Sequence, residues 1–337
     1  MLKRLGIFFL LVMIAAIGGG WWMSQRLSTP YKGFDAEEVF VEIPRGTSVS
    51  GMAQRLADAG AVPDAFSFRI AARMSGAGLG LQAGEYRFAE PASPYDVVAR
   101  IARGDVFVRP ITFREGLTIK EMAPIFEKSG LGTAAEFERA ASDGSLIAAI
   151  DPEARNLEGY LFPETYALPR SAGAEGAVRA MVDGFEKAFD ADLRAAATAQ
   201  QMNPRDVITL ASIVEKETGQ AAERPLVAAV YRNRLKIGMP LQCDPTVIYA
   251  LMLARRWNGN LTKQNMQIDS PYNTYRYAGL PPGPIASPGR ASIEAALHPA
   301  DVPYIYFVGK GDGTHAFATT LAEHNSNVLR YQIKRQR

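Results

Sequence analysis

Cysteine is nearly absent, with Cys243 alone in 337 residues. That count excludes a disulfide framework and a cysteine-based zinc site. A lone cysteine is ordinarily a small core or surface residue. Histidine is scarce as well. His298, His315 and His324 all lie near the C-terminus without a compact H-x-x-x-H spacing, so no metal site is expected. An excess of one charge is also lacking, because 37 Lys and Arg nearly balance 35 Asp and Glu, leaving +2. With no long basic run, nothing demands a nucleic-acid partner. What remains is a chain 47% hydrophobic and 21% charged. Its length suits on the order of two or three domains.

One long apolar run stands out. LGIFFLLVMIAAIGGGWWM, Leu5–Met23, holds 19 residues without a charge. At about 1.5 Å per residue a helix of that length crosses roughly 30 Å of hydrocarbon. Lys3 and Arg4 precede it, which favours an N-terminus in the cytosol, and Trp21 and Trp22 fall where an interfacial aromatic belt belongs. A cleavable signal peptide is the alternative. Ala15 to Gly20 offers small residues, but the tryptophans follow at once, which favours an uncleaved anchor. The layout expected is a cytoplasmic tail at 1–4, a transmembrane anchor at 5–23, and a linker at 24–38 carrying Pro30 and Gly33. The rest of the chain would lie outside the cytoplasmic membrane.

Residues 39–150 read as a small α+β region with an internal duplication. The strand-like VFVEI leads into PRGTSVSGMAQRLADAG, and VRPITF leads into FREGLTIKEMAPIFEKSG. Gly46 matches Gly116, Ser48 matches Thr118, Met52 matches Met122, Leu56 matches Phe126 and Gly60 matches Gly130. In each copy a Ser or Thr caps a helix with one apolar face and a Gly stops it. Each is followed by a second short helix containing a Phe. Between the copies, GEYRF reads as a strand and SPYDVVARIARG as a helix capped by Ser93 with Pro94 in its first turn. The first copy also resembles the opening of the LysM carbohydrate-binding module. The region holds no carboxylate cluster, so binding or scaffolding is its expected role.

Residues 151–337 have a different texture. NLEGYLFPETYALPR is dense in aromatics, and Glu158 and Glu164 there serve a turn or a site equally well. Helical spacing follows from Val178 to Ala197. SPYNTYRYAGLPPGPIASPG cannot be a long helix, and a loop this rich in Pro and Gly inside a compact domain is usually functional. The stretch ITLASIVEKETG poses a sharper question. Asn203 and Pro204 begin a helix, Val207, Leu210, Ala211 and Val214 share one face, and Gly219 is placed for the C-terminal turn. Glu217 projects toward one edge of that face, Glu215 toward the other, and Lys216 to solvent. A carboxylate in the last turn meets the negative end of the helix dipole, so the pKa of Glu217 should rise, as a general acid requires. Geometry alone does not exclude Glu215. A second helix, roughly Glu223 to Lys236, buries Leu226, Val227, Val230 and Tyr231, and LQCDPTVIY then turns at Asp244-Pro245.

Taken in order, LEGYLFPETY, ASIVEKET, ERPLVAAVYRNRLKIGMPLQCDPTVIYAL, SPYNTY, GLPPGPIASPG, AALHPA, YIYFVGKGDGTHAF and EHN resemble the YceG-like family of endolytic murein transglycosylases over nearly the whole chain. The resemblance implies a bitopic α+β protein: a transmembrane helix, a LysM-like module and a C-terminal catalytic domain facing the periplasm. It implies a lyase that cleaves nascent glycan strands internally between N-acetylmuramic acid and N-acetylglucosamine, leaves 1,6-anhydro ends and so terminates elongation. No cofactor is implied. The implied partners are peptidoglycan strands, the cytoplasmic membrane and peptidoglycan synthases. The family's catalytic glutamate, the second Glu of E-K-E, falls on Glu217. Substrate contacts are expected among Glu215, Gln242, Asp244, Thr246, Tyr272, Asn273, Tyr275, His315, His324 and Asn325. Two other readings stay open: a non-catalytic peptidoglycan-binding scaffold, and a hydrolytic muramidase.

Overall fold

The structure, a computed structural model, describes residues 2–333. Met1, the side chains of Lys3 and Arg4 in the expected tail, and the last residues, 334–337, of the expected catalytic region lie outside the described residues. The chain is a mixed helix-and-sheet protein in two compact units, Met1–Arg109 with Leu168–Ser171, and Pro110–Ala167 with Ala172–Arg337.

The first unit opens with helix α1 (Leu2–Ser28). Its Ile7–Ser28 segment is long and apolar enough to cross a membrane. The helix outlasts the apolar run, so the first part of the expected linker is helical. Leu27 there is fully buried in the unit's core, and Arg26 pairs with Asp64 at 2.5 Å while donating to Ser67 Oγ at 3.1 Å. Strand β1 (Val39–Ile43) is followed by α2 (Val49–Asp58) and α3 (Ala65–Met74). Then come β2 (Gly84–Phe88) and α4 (Pro94–Arg103). The strands pair antiparallel from Val39↔Phe88 to Ile43↔Gly84. Val41, Ile43, Leu56, Phe68, Phe88, Val97 and Ile101 fill the core between sheet and helices.

In the second unit, β3 (Val108–Thr112), which starts just before the boundary, pairs with β4 (Thr165–Pro169). Between them lie α5 (Ile119–Lys128) and α6 (Ala134–Ala141). The two sequence copies take the same local shape. Ser48 accepts from Gly51 N and Thr118 from Glu121 N, so each capping side chain satisfies a free amide of the first turn. Gly46 and Gly116 enter at φ 79° and 76°, Gly60 and Gly130 leave at 70° and 76°, a left-handed backbone that glycine takes without strain.

The helical run expected from Val178 to Ala197 is broken into α7 (Gly173–Ala188) and α8 (Ala191–Ala199). Asp190 causes the break, because its Oδ1 accepts from the amides of Asp192 and Leu193 and restarts the helix. Next is α9 (Pro204–Glu217), capped by Asn203 Oδ1 on Asp206 N at 2.7 Å. Every residue from Val207 to Val214 is buried, because α8, α10 (Arg224–Lys236), α11 (Asp244–Leu253) and α12 (Arg290–Leu297) pack around it. An antiparallel hairpin of β5 (Tyr306–Gly309) and β6 (His315–Ala318) and helix α13 (Leu321–Val328) complete the unit. Asp244 and Pro245 start α11 rather than making a free turn, since proline is suited to a helix's first turn.

Candidate active site

Helix α9 ends at Glu217, and Thr218 leaves it in an extended conformation, φ −139° and ψ 131°. Thr218 Oγ1 accepts from Gln220 N at 3.0 Å, so the side chain makes the turn that the sequence assigned to Gly219. The two acids of E-K-E then part. Residues two apart on a helix are separated by about 200°, so one enters the packed interior and the other a cleft.

Glu215 enters the interior, where its side chain is 6% exposed. It accepts from Ser292 Oγ at 2.7 Å and from Gly289 N at 3.0 Å, and it pairs with Arg224 at 3.4 Å. It therefore ties α9 to α10 and α12 and does not line the cleft. Lys216 donates to the carbonyl of Gly116 at 3.0 Å.

Glu217 lines a cleft of about 360 Å³ together with Tyr231, Arg234, Gln242, Asp244, Tyr275, Phe307, His315 and His324. Its Oε1 accepts the Tyr231 hydroxyl at 2.6 Å. Burial pushes its carboxyl pKa up, and the charge of Asp244 adds to that; hydrogen bonds from Tyr231 and Cys243 offset part of the rise. A carboxyl group that holds its proton in this way can donate it near neutrality.

Loop chemistry shapes the rest of the wall. Gln242 adopts φ 48°, a left-handed conformation uncommon for a residue with a Cβ. It is fixed there because its N–H donates to Thr274 O at 3.1 Å and the next amide, Cys243 N, donates to Thr274 Oγ1 at 3.0 Å. Asp244 Oδ1 accepts the Tyr275 hydroxyl at 2.6 Å. His315 presents Nδ1 to Glu223 Oε2 at 2.7 Å. His324 stacks on Tyr306, ring centroids 5.1 Å apart, and Arg234 lies over the same Tyr306 ring at 5.5 Å.

Of the residues expected at the site, the cleft thus brings together Glu217, Gln242, Asp244, Tyr275, His315 and His324. It does not bring in Glu215, Thr246, Tyr272, Asn273 or Asn325. Thr246 is buried and bonds Cys243 O at 2.7 Å and Thr274 Oγ1 at 2.9 Å, supporting the wall from behind. Asn273 is buried too, donating to Met266 O and Ile268 O, so it shapes the loop that presents Tyr275. Asn325 is exposed on α13. Tyr272 lines a separate cleft of about 430 Å³ with Glu158, Asp151 and Arg205, where its ring meets Tyr249 edge-on. Another cleft of this unit, about 660 Å³, is edged by the exposed charges Glu136, Arg139, Glu175 and Arg179 and gathers none of the expected residues.

Sequence reasoning missed Tyr231, Arg234, Phe307 and Glu223. Tyr231 counted only as part of an apolar helix face. The signal was its hydroxyl, since a buried tyrosine hydroxyl usually needs a partner. Arg234 is buried and donates to Ile305 O and Leu241 O, joining α10 to the hairpin and the cleft wall. Among the described residues no group of three or more His, Cys, Asp or Glu could hold a metal ion.

The model of the YceG-like family matches residues 41–330. Over 334 residues the chain is 30% identical to the endolytic murein transglycosylase of Bacillus subtilis, covering 94% of this chain and 91% of that protein. It is 28% identical over 363 residues to the endolytic murein transglycosylase of Streptococcus pneumoniae serotype 2, covering 98% of this chain and 65% of that one. The crystal structure of a yceG-like protein from Listeria monocytogenes is similar at 32% identity and a TM-score of 0.59, covering 86% of this chain and 99% of that one.

Proposed function

Because this chain belongs to the YceG-like family, we propose that it is a peptidoglycan lytic transglycosylase that cuts glycan strands internally between N-acetylmuramic acid and N-acetylglucosamine. The observation that carries the reading is Glu217: a carboxyl group raised by burial, held by a tyrosine hydroxyl and open to a polar cleft.

The chemistry needs one acid. Glu217 gives its proton to the glycosidic oxygen as the bond from muramic C1 to that oxygen breaks. The C6 hydroxyl of the same muramic residue attacks C1, and the Glu217 carboxylate takes the hydroxyl proton. One C–O bond breaks, one forms, no water is consumed, and a 1,6-anhydro ring remains. The attack is intramolecular, so it gains a large effective molarity. Tyr231, by donating to Oε1, favours the carboxylate that the second half of the reaction requires.

An N-terminal anchor at 5–23, with the N-terminus in the cytosol, would hold a LysM-like region at 39–150 and a catalytic region at 151–337 in the periplasm, beside newly made strands and the synthases that make them. One observation favours a second reading: Asp244 puts another carboxylate in the Glu217 cleft, as a two-carboxylate hydrolase would need. Mass spectrometry of products from uncrosslinked glycan separates the possibilities. Anhydro ends from the wild type and none from a folded Glu217→Gln variant are expected. Reducing ends without the anhydro ring would replace this reading with a muramidase, and unchanged cleavage by Glu217→Gln would remove Glu217 from the chemistry. Glycan binding without any product would mean a scaffold.

A further inference from the structure

Glu223 was not among the residues that sequence reasoning assigned to the site, yet it grips one of them twice. Its Oε1 accepts from the backbone N–H of His315 at 2.9 Å, and its Oε2 faces His315 Nδ1 at 2.7 Å. Both side chains are 13% exposed. Glu223 stands at the N-terminal end of α10, where a negative charge is favoured. The imidazole is held on another side by Phe307, whose ring meets it edge-on at 5.2 Å; Phe307 in turn meets Tyr231, the partner of Glu217, at 5.8 Å. The ring therefore has little freedom to turn. A carboxylate only accepts hydrogen bonds, so the nitrogen facing it must carry a proton. A neutral imidazole carries one N–H, which leaves Nε2 as an acceptor. His315 also lines the Glu217 cleft.

We propose that Glu223 is a positioning residue that fixes His315 with its proton on Nδ1, so that Nε2 meets the cleft as an acceptor for a hydroxyl group of the bound glycan. This rests on the reading of the cleft as a glycan site. Glu223 does not line the cleft itself; it reaches it through the backbone and ring of His315, and its Oε2 also accepts from Thr218 Oγ1 at 3.4 Å. A glutamine in its place can donate an amide N–H to Nδ1, which would move the ring proton to Nε2 and present a donor where the sugar hydroxyl needs an acceptor.

The test uses the full chain in detergent micelles, labelled with ¹⁵N-histidine. With only His298, His315 and His324 to resolve, His315→Gln identifies the signal. Expected is a neutral wild-type His315 ring protonated on Nδ1 alone, and a neutral Glu223→Gln ring protonated on Nε2. The same variant should keep its thermal midpoint and lose about tenfold in kcat/KM on uncrosslinked glycan, the scale of one hydrogen bond. In Glu217→Gln, added glycan should shift the Nε2 resonance of His315. A wild-type ring protonated on both nitrogens or on Nε2, a tautomer unmoved in Glu223→Gln, or full activity after the tautomer has moved would each overturn the proposal. If the wild type cleaves nothing, the catalytic reading fails, while the tautomer and the glycan-induced shift still decide this one.

Discussion

Tyr231→Phe would delete the hydroxyl that donates to Glu217 Oε1 over 2.6 Å, while keeping a ring of the same shape packed edge-on against Phe307 at 5.8 Å. The hydrogen bond favours the charged carboxylate, so its loss raises the Glu217 pKa beyond the rise that burial already causes. A hydrogen bond to a charged group contributes about 1.5–3 kcal/mol, so the carboxylate loses about that much stabilisation relative to the protonated acid and its pKa rises further. If Glu217 is the general acid proposed above, it works protonated, and the alkaline limb of kcat/KM follows its pKa. That limb should shift to higher pH. In the proposed reaction kcat near neutral pH should fall, because the carboxylate that forms as the proton passes to the glycosidic oxygen has lost a stabilising partner. The assay is a pH series of anhydro-product formation on uncrosslinked glycan, with wild type and variant compared at matched thermal stability. An alkaline limb that stays in place, or moves down, would refute the role of Tyr231 and weaken that of Glu217 as acid.

Three further outcomes follow from the packing. Glu215→Ala removes the buried partner of Arg224 and the acceptor of Ser292 and Gly289, so denaturant titration should show a loss of about 3 kcal/mol, a size a solvated helix-end charge would not give. Glu158 is buried and its carboxyl is pushed up from 4.5 to about 7, so the folded state binds that proton more tightly than the unfolded one. The stability it contributes is fully present below the unfolded pKa and is lost as pH rises through the folded one; on the order of 3 kcal/mol should go from the wild type and not from Glu158→Gln, and parallel pH–stability curves would contradict this. Leu27→Ala should destabilise the first unit by about 2–5 kcal/mol in chemical unfolding, whereas at a plain linker position it would stay within about 0.5 kcal/mol.

How far the sequence reached depends on how local each cause is. The caps at Ser48, Ser93, Thr118 and Asn203 were legible because a cap is a contact within about one helical turn. So was the duplicated strand-helix-helix pattern, whose glycines mark turns. The break at Asp190 was missed because the apolar spacing continues through it, and the side chain that restarts the helix suits a helix start as well as a surface position. Asp244-Pro245 has the same ambiguity, since those residues open turns and helices alike. Tyr272, Asn273 and Tyr275 of SPYNTYRY were assigned to substrate together, yet Asn273 turned inward to hold the loop while Tyr275 reached Asp244. No periodicity governs such a loop, so only its neighbours decide which side chain faces the cleft.

By itself the sequence determined the apolar N-terminal helix, the capped helix that ends in Glu215, Lys216 and Glu217, and the two acids at opposite edges of its buried face. These depend on composition, on hydrogen bonds within a turn, and on the angle between successive residues of a helix. The tertiary structure alone decided which edge is filled. Helix α12 and Arg224 close over Glu215, while Tyr231, His315 and the β5–β6 hairpin leave a polar cleft at Glu217. The groups that separate the two acids come from segments as far as 107 residues further along the chain, His324 from Glu217, and nothing in the helix itself encodes which of them will arrive on which side.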